Sequence, residues 1–243
     1  MNRREELLDK LMWLPSLGPR SQRLGLFMAS FLDDEDLRES DCITFLSKPE
    51  VMQASKRADA EEKRHFIIRR WFQRQFVSKI LDFETPLPEL RLVHELDARP
   101  MCLDAPDLHL SFSSSGPMML ACASKLGAVG IDIERKRVVE NAVQLAGRFF
   151  SSDEAAHIAA LPEALRSHHF LFHWTAKEAA LKAVGKGIDS GINQFQLRPL
   201  GQSSGYAITE LGESLDPWSL QFTEILPNYL IAVVQSKNNA MPS

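Results

Sequence analysis

Asp132 and Glu134 stand two residues apart in GIDIE. Side chains alternate across an extended chain, so both carboxylates point to one face of a strand while Ile131 and Ile133 enter the core. Two such charges repel unless a cation sits between them. Alone, a D-x-E pair more often marks the solvent face of a half-buried strand. A second group follows in WTAKEAALKAVGKG, where Lys177, Glu178 and Lys182 share a helix with Trp174, Ala180, Leu181 and Val184. Glu178 and Lys182 are four apart and adjacent on the helix surface, where an exposed ion pair contributes a few tenths of a kcal/mol. That accounts for those two residues and leaves the arrangement of two groups unexplained.

A third concentration of charge lies between Lys48 and Lys79. Phe66, Ile67, Trp71 and Phe72 recur there at helical spacing, with Arg64, Arg69, Arg70 and Arg74 beside or opposite them. This is either a solvated basic face or a phosphate-binding one. A nucleic-acid role is disfavoured, because the net charge is -4 despite 28 Lys and Arg. His168, His169 and His173 gather near the Trp174 motif, but only the His169/His173 spacing suits a shared metal and no third ligand is evident, so zinc is not expected. Cys42, Cys102 and Cys122 form neither a CxxC nor a disulfide framework.

The elements that must carry these groups follow from pattern. Residues 3–55 read as helical or irregular, and the basic helix runs to about Leu81. RLVHELDARPM gives a short strand and a turn, and LHLSFSSSG a strand closed by Gly116 and Pro117. MMLACAS and AVGIDIE read as a hairpin turning at Gly127. A helix follows around 141–150, Ser151 and Glu154 have capping-box spacing for another, and a long helix spans about 164–183 before GKG. INQFQLRPL, GYAITEL, WSLQFTEI and YLIAVVQ read as strands. The fold class is therefore α+β. At 243 residues, 44% hydrophobic and 25% charged, the chain has room for one large domain or two small ones with ordinary cores. No stretch approaches 18 uninterrupted apolar residues and the first residues are charged, so neither a membrane span nor a signal peptide is expected, and a cytoplasmic location is.

VGIDIE at 129–134 and FLFHWTAKEAALKAVGKG at 170–187, with RFFSSDE between them, resemble the signature motifs of the 4'-phosphopantetheinyl transferases. KRHFIIRRWFQR resembles that family's Arg-rich helix, and DARPMCLDAPDLHLSFSSSG its GKP-to-SHS stretch. The resemblance covers about residues 48–196, and the length is similar to the monomeric, two-half Sfp type. It implies two similar α/β subdomains with pseudo-twofold symmetry, at 1–127 and 128–243. It further implies that Asp132, Glu134 and Glu178 hold Mg²⁺ against the pyrophosphate of coenzyme A, that Lys182 stabilises the leaving adenosine 3',5'-bisphosphate, and that Lys177 assists. The acceptor would be a serine of an acyl, peptidyl or aryl carrier protein, with Glu178 as its base directly or through water.

Arg99 takes the place of the lysine of GKP, Arg64 is a candidate for the coenzyme's 3'-phosphate, and Ser113 matches the first serine of SHS. The chain departs from the family at Ser114, where the histidine of SHS is absent. A hydroxyl carries no charge, and losing one charge-assisted phosphate contact costs about 1.5 to 3 kcal/mol. The resemblance thus implies a transferase, with a weakened coenzyme A or carrier-protein binding protein of the same fold as the alternative.

Overall fold

Two 22-residue helices, Ala60–Leu81 and Glu163–Val184, each lie in a separate compact unit. The computed structural model describes residues 12–13, 25–30, 37–81, 86–94, 99–187, 191–199, 206–210, 218–223 and 228–236. The first unit comprises residues 1–95 and 100–125, the second residues 96–99 and 126–243.

The first unit opens with β1 (Met12–Trp13) and β2 (Gly25–Ser30). Helices α1 (Glu39–Ile43), α2 (Lys48–Ser55) and α3 (Ala60–Leu81) follow, then a 3₁₀ turn at Leu87–Glu89. The short strands β3 (Leu92–Val93) and β4 (Met101–Cys102) pair with each other, and β5 (His109–Ser115) and β6 (Met118–Ser124) form a hairpin. The main sheet has the order β1-β2-β6-β5, all antiparallel. Trp71, Phe72, Phe76 and Val77 of α3 share one apolar core with Leu110, Met119 and Ala121 of that sheet.

Among the described residues the second unit repeats this order from β2 onward, with no counterpart of β1. It runs β7 (Val129–Arg135), α4 (Ala142–Phe149), α5 (Ser152–Ala160), α6 (Glu163–Val184), a 3₁₀ turn at Ile192–Gln194, the pair β8 (Phe195–Pro199) and β9 (Tyr206–Glu210), then β10 (Trp218–Thr223) and β11 (Tyr229–Ser236). Its main sheet is β10-β11-β7, antiparallel throughout. In both units the last strand is central, flanked by its neighbour in sequence and by the strand that precedes the helices. This is the α+β class expected. The four C-terminal strands, the long second helix and the Ser151–Glu154 capping box all lie where the sequence puts them.

Two expectations change. MMLACAS and AVGIDIE do not pair with each other: β6 has β2 on one edge and β5 on the other, so it offers no edge to β7, which pairs with β11 instead. The tight turn is Gly116–Pro117, with Gly116 at φ +56°. Residues 3–55 are also not wholly helical or irregular, because Gly25–Ser30 is a sheet strand. GLFMAS hides it, having no polar alternation and helix-favouring Leu, Met and Ala.

Small residues bring α6 close to its sheet. Ala176, Ala179, Ala180 and Ala183 pack in one core with Leu230, Ala232 and Val234. The approach is tightest at Gly130, where an added Cβ would sit inside van der Waals contact of the Ala179 carbonyl oxygen and the Ala183 amide nitrogen. Backbone cannot yield as a side chain can, so this strand position requires glycine.

Candidate active site

The closeness enforced at Gly130 brings the face of β7 that bears Asp132 and Glu134 to the helix that carries Glu178. Asp132 is buried, Glu134 half-buried and Glu178 8% exposed. Burial, the Asp132 charge and, more weakly, Glu134 push the Glu178 carboxyl up to about 7, with Lys182 opposing. Its Oε1 is buried without a hydrogen-bond partner among the described residues. The expected surface pair between Glu178 and Lys182 takes another form: Lys182 Nζ donates to Asp132 Oδ1 at 2.7 Å, joining α6 to β7. Arg137 Nη1 donates to Glu134 Oε2, also at 2.7 Å.

In this arrangement no group of three or more His, Cys, Asp or Glu side chains among the described residues is drawn tightly enough to hold a metal ion. The two strand carboxylates are instead each tied to a cationic side chain. The donor chemistry still fits a hard cation: three acids lie within electrostatic reach, one raised toward neutrality by burial and by the others and holding an orphaned buried oxygen. An unpaired buried carboxylate is costly, and either a proton or a cation relieves it.

Arg99 groups with this second unit, although the sequence assigns it to the first subdomain. Its guanidinium lies over Gly185, which ends α6 at φ +73°; a Cβ there would come within 2.7 Å of Arg99 Nε. Burial lowers the Arg99 pKa. Arg99 therefore stands at the end of α6 just beyond Lys182, a pairing that sequence spacing does not reveal.

Lys177 is placed differently from the expected coenzyme contact. It is fully buried, and its Nζ donates to Glu154 Oε2 at 2.6 Å while lying 4.7 Å from the Phe150 ring centroid. Burial would raise Glu154, but the Lys177 charge and the Leu197 and Ser151 N–H donors outweigh it and hold the carboxyl below its ordinary value. His173 is likewise buried, its Nδ1 2.8 Å from the His169 carbonyl oxygen and its ring against Phe150. It does not share a surface site with His169.

In the first unit the basic helix divides. Arg74 is fully buried, giving Nε to Glu50 Oε2 at 2.6 Å and Nη1 to the carbonyls of Leu87 and Leu90. It is a core residue and not a phosphate ligand. Arg64 is half-buried and gives Nη2 to the Leu37 carbonyl at 3.3 Å. Ser113 is half-buried and Ser114 exposed, near the end of β5. His94 does not replace the missing imidazole with a charge, because burial and then the Arg70 and Arg74 charges press its pKa down to about 3.

A model of the 4'-phosphopantetheinyl transferase superfamily matches residues 128–234, which contain the carboxylate strand and α6. The 4'-phosphopantetheinyl transferase psf-1 of Bacillus pumilus is 30% identical over 213 residues, covering 85% of this chain and 86% of that protein. The chain belongs to the 4'-phosphopantetheinyl transferase superfamily. Its length relates it to the Sfp type: Sfp of Bacillus subtilis is 27% identical across 86% of this chain and 89% of its own length. HetI of Nostoc sp. is 29% identical across 65% and 67%. The chain is thus a 4'-phosphopantetheinyl transferase, and no helix among the described residues is long and apolar enough to cross a membrane.

Proposed function

We propose that this transferase moves 4'-phosphopantetheine from coenzyme A to a serine of an acyl, peptidyl or aryl carrier protein in a Mg²⁺-dependent reaction, acting as a cytoplasmic monomer. The observation that supports this most is the acid set of the second unit, in which burial, then the Asp132 charge and more weakly Glu134, raise the Glu178 carboxyl to about 7. Asp132, Glu134 and Glu178 would hold the cation, with Lys182 and Arg137 turning from the strand carboxylates toward phosphate oxygens. A bound divalent ion supplies charge neutralisation at the pyrophosphate, the usual contribution of Mg²⁺ to phosphoryl chemistry.

The chain's own residues do the rest. The serine oxygen forms a bond to the β-phosphorus of coenzyme A as the bond from that phosphorus to the bridging oxygen breaks. The serine proton passes to a carboxylate, the role proposed for Glu178 directly or through water. Adenosine 3',5'-bisphosphate leaves with the bond's electron pair, its charge met by Lys182 and by Arg99 beyond it. Arg64, Ser113 and Ser114 are proposed for the nucleotide phosphates. The carrier's serine loop is proposed to enter the hollow of about 730 Å³ lined by Lys136, Arg137, Val138 and Arg166, where Val138 is 83% exposed.

Incubation with Mg²⁺, coenzyme A and a panel of apo carrier proteins tests the reading by intact mass. At least one carrier gains the mass of a phosphopantetheinyl group, and chelation of the metal prevents it. Coenzyme A binding with no gain on any carrier would mark the chain as a binding protein instead.

A further inference from the structure

The carboxylate of Glu154 gathers three elements at once. Its Oε2 accepts from Ser151 N–H at 3.0 Å, from Ser151 Oγ–H at 2.8 Å and from Lys177 Nζ at 2.6 Å, while its Oε1 accepts from Leu197 N–H at 2.9 Å. The first turn of α5, the middle of α6 and the edge of β8 are thus tied to one buried group. The first unit contains the same device. Glu50 Oε2 accepts from Ser47 N–H and Oγ–H, each at 2.9 Å, and from Arg74 Nε at 2.6 Å. Arg74 and Lys177 are each the fifteenth residue of a 22-residue helix.

Recurrence of the lock in both units identifies it as a device for setting the long helix against the capped helix before it. What differs is the next residue: Gln75 in the first unit and Glu178 in the second, both buried. A side-chain terminus lies about 6 Å from its helix axis, so a roll of only about 10° shifts it by about 1 Å. A displacement of that size at a reacting group costs on the order of a hundredfold in rate. On one side α6 is held by the close approach of Gly130 to Ala179 and Ala183. Lys177 and Glu154 hold another.

We propose that Glu154 and Lys177 are positioning residues of this transferase, fixing the roll of α6 so that Glu178 meets Asp132 and Glu134. The proposal rests on the reading of Glu178 as a working carboxylate. It assigns Lys177 no contact with coenzyme A.

The test compares two double variants, Glu154→Gln/Lys177→Met and Glu50→Gln/Arg74→Met. Each removes both charges, while the glutamine keeps an acceptor for the cap and the methionine keeps the length. Thermal unfolding, kcat, KM for coenzyme A and the affinity of the metal-free protein for Mn²⁺ by electron paramagnetic resonance are read for each. In Glu154→Gln/Lys177→Met, kcat falls about a hundredfold and Mn²⁺ binds at least tenfold more weakly, while KM stays within about threefold. In the first-unit variant kcat stays within about twofold, whatever the change in unfolding temperature. Wild-type kcat and Mn²⁺ affinity in Glu154→Gln/Lys177→Met would overturn the proposal. Should that variant not fold, Glu154→Asp, which keeps both charges and retracts the carboxylate by one methylene, is expected to show the same split, and its absence counts against the proposal equally. Glu178→Gln is the control beneath both: wild-type kcat there would overturn the reading of Glu178 together with the inference built on it.

Discussion

From β2 onward the first unit shares its element order, strand pairing and buried lock with the second, yet the two place different chemistry one residue past that lock. In α3 the lock is followed by Gln75, a buried neutral amide; in α6 it is followed by Glu178, raised toward neutrality by burial and then by Asp132. The locks also differ in kind. Arg74 spreads its fork over Glu50 and two carbonyls, whereas Lys177 gives its ammonium to Glu154 above an aromatic ring. A repeated scaffold can therefore carry an acid set in one copy only, and the difference between structural and functional residues is one of position along a shared helix.

The largest blow to the second unit is expected from Gly130→Ala. Its new Cβ meets backbone and not a flexible side chain, so a loss of about 3 kcal/mol or more is expected by chemical unfolding. A loss under 1 kcal/mol would mean that α6 is free to retreat, and the close packing would explain little.

The pH dependence of stability separates Glu178 from Gln75. A carboxyl raised from 4.5 to about 7 in the fold contributes stability that is fully present below pH 4.5 and is lost as pH rises through 7. Relative to Glu178→Gln, the metal-free wild-type chain should therefore weaken by about 3 kcal/mol over that window, and Mg²⁺ should restore much of it. Parallel stability curves for wild type and variant would remove the electrostatic argument for the site.

Ser114→His probes the first unit. A charged donor near a nucleotide phosphate is expected to lower KM for coenzyme A by one to two decades with kcat nearly unchanged. An unchanged KM would show that the lost imidazole has no bearing on coenzyme binding here. The smallest effect sharpens the comparison most narrowly: Ser47→Ala and Ser151→Ala should each cost about 1 kcal/mol as cap losses, while only Ser151→Ala also reduces kcat.

Much of this was legible in the residues. Alternation identifies the carboxylate strand, and helical periodicity with a terminal glycine bounds α6 within a residue or two. The Ser151–Glu154 box is visible by spacing, and Ser47–Glu50 has the same spacing but sits in a stretch that otherwise reads as undiagnostic. What pattern could not supply were the non-local choices. Nothing in MMLACAS shows that both its edges are filled, and nothing in WTAKEA distinguishes a lysine turned toward solvent from one buried on a glutamate 23 residues earlier. The glycine in VGIDIE did carry a signal, since a glycine inside a strand marks close backbone approach.

Glu178 of the second unit, and not its first-unit counterpart Gln75, is proposed to serve the transfer. Intact-mass analysis of an apo carrier protein after timed incubation with Mg²⁺, coenzyme A and either Glu178→Gln or Gln75→Ala tests it most directly. The Gln75→Ala enzyme should add phosphopantetheine at close to the wild-type rate, and the Glu178→Gln enzyme should be slower by about a hundredfold or more. Transfer by folded Glu178→Gln at the wild-type rate would contradict the account.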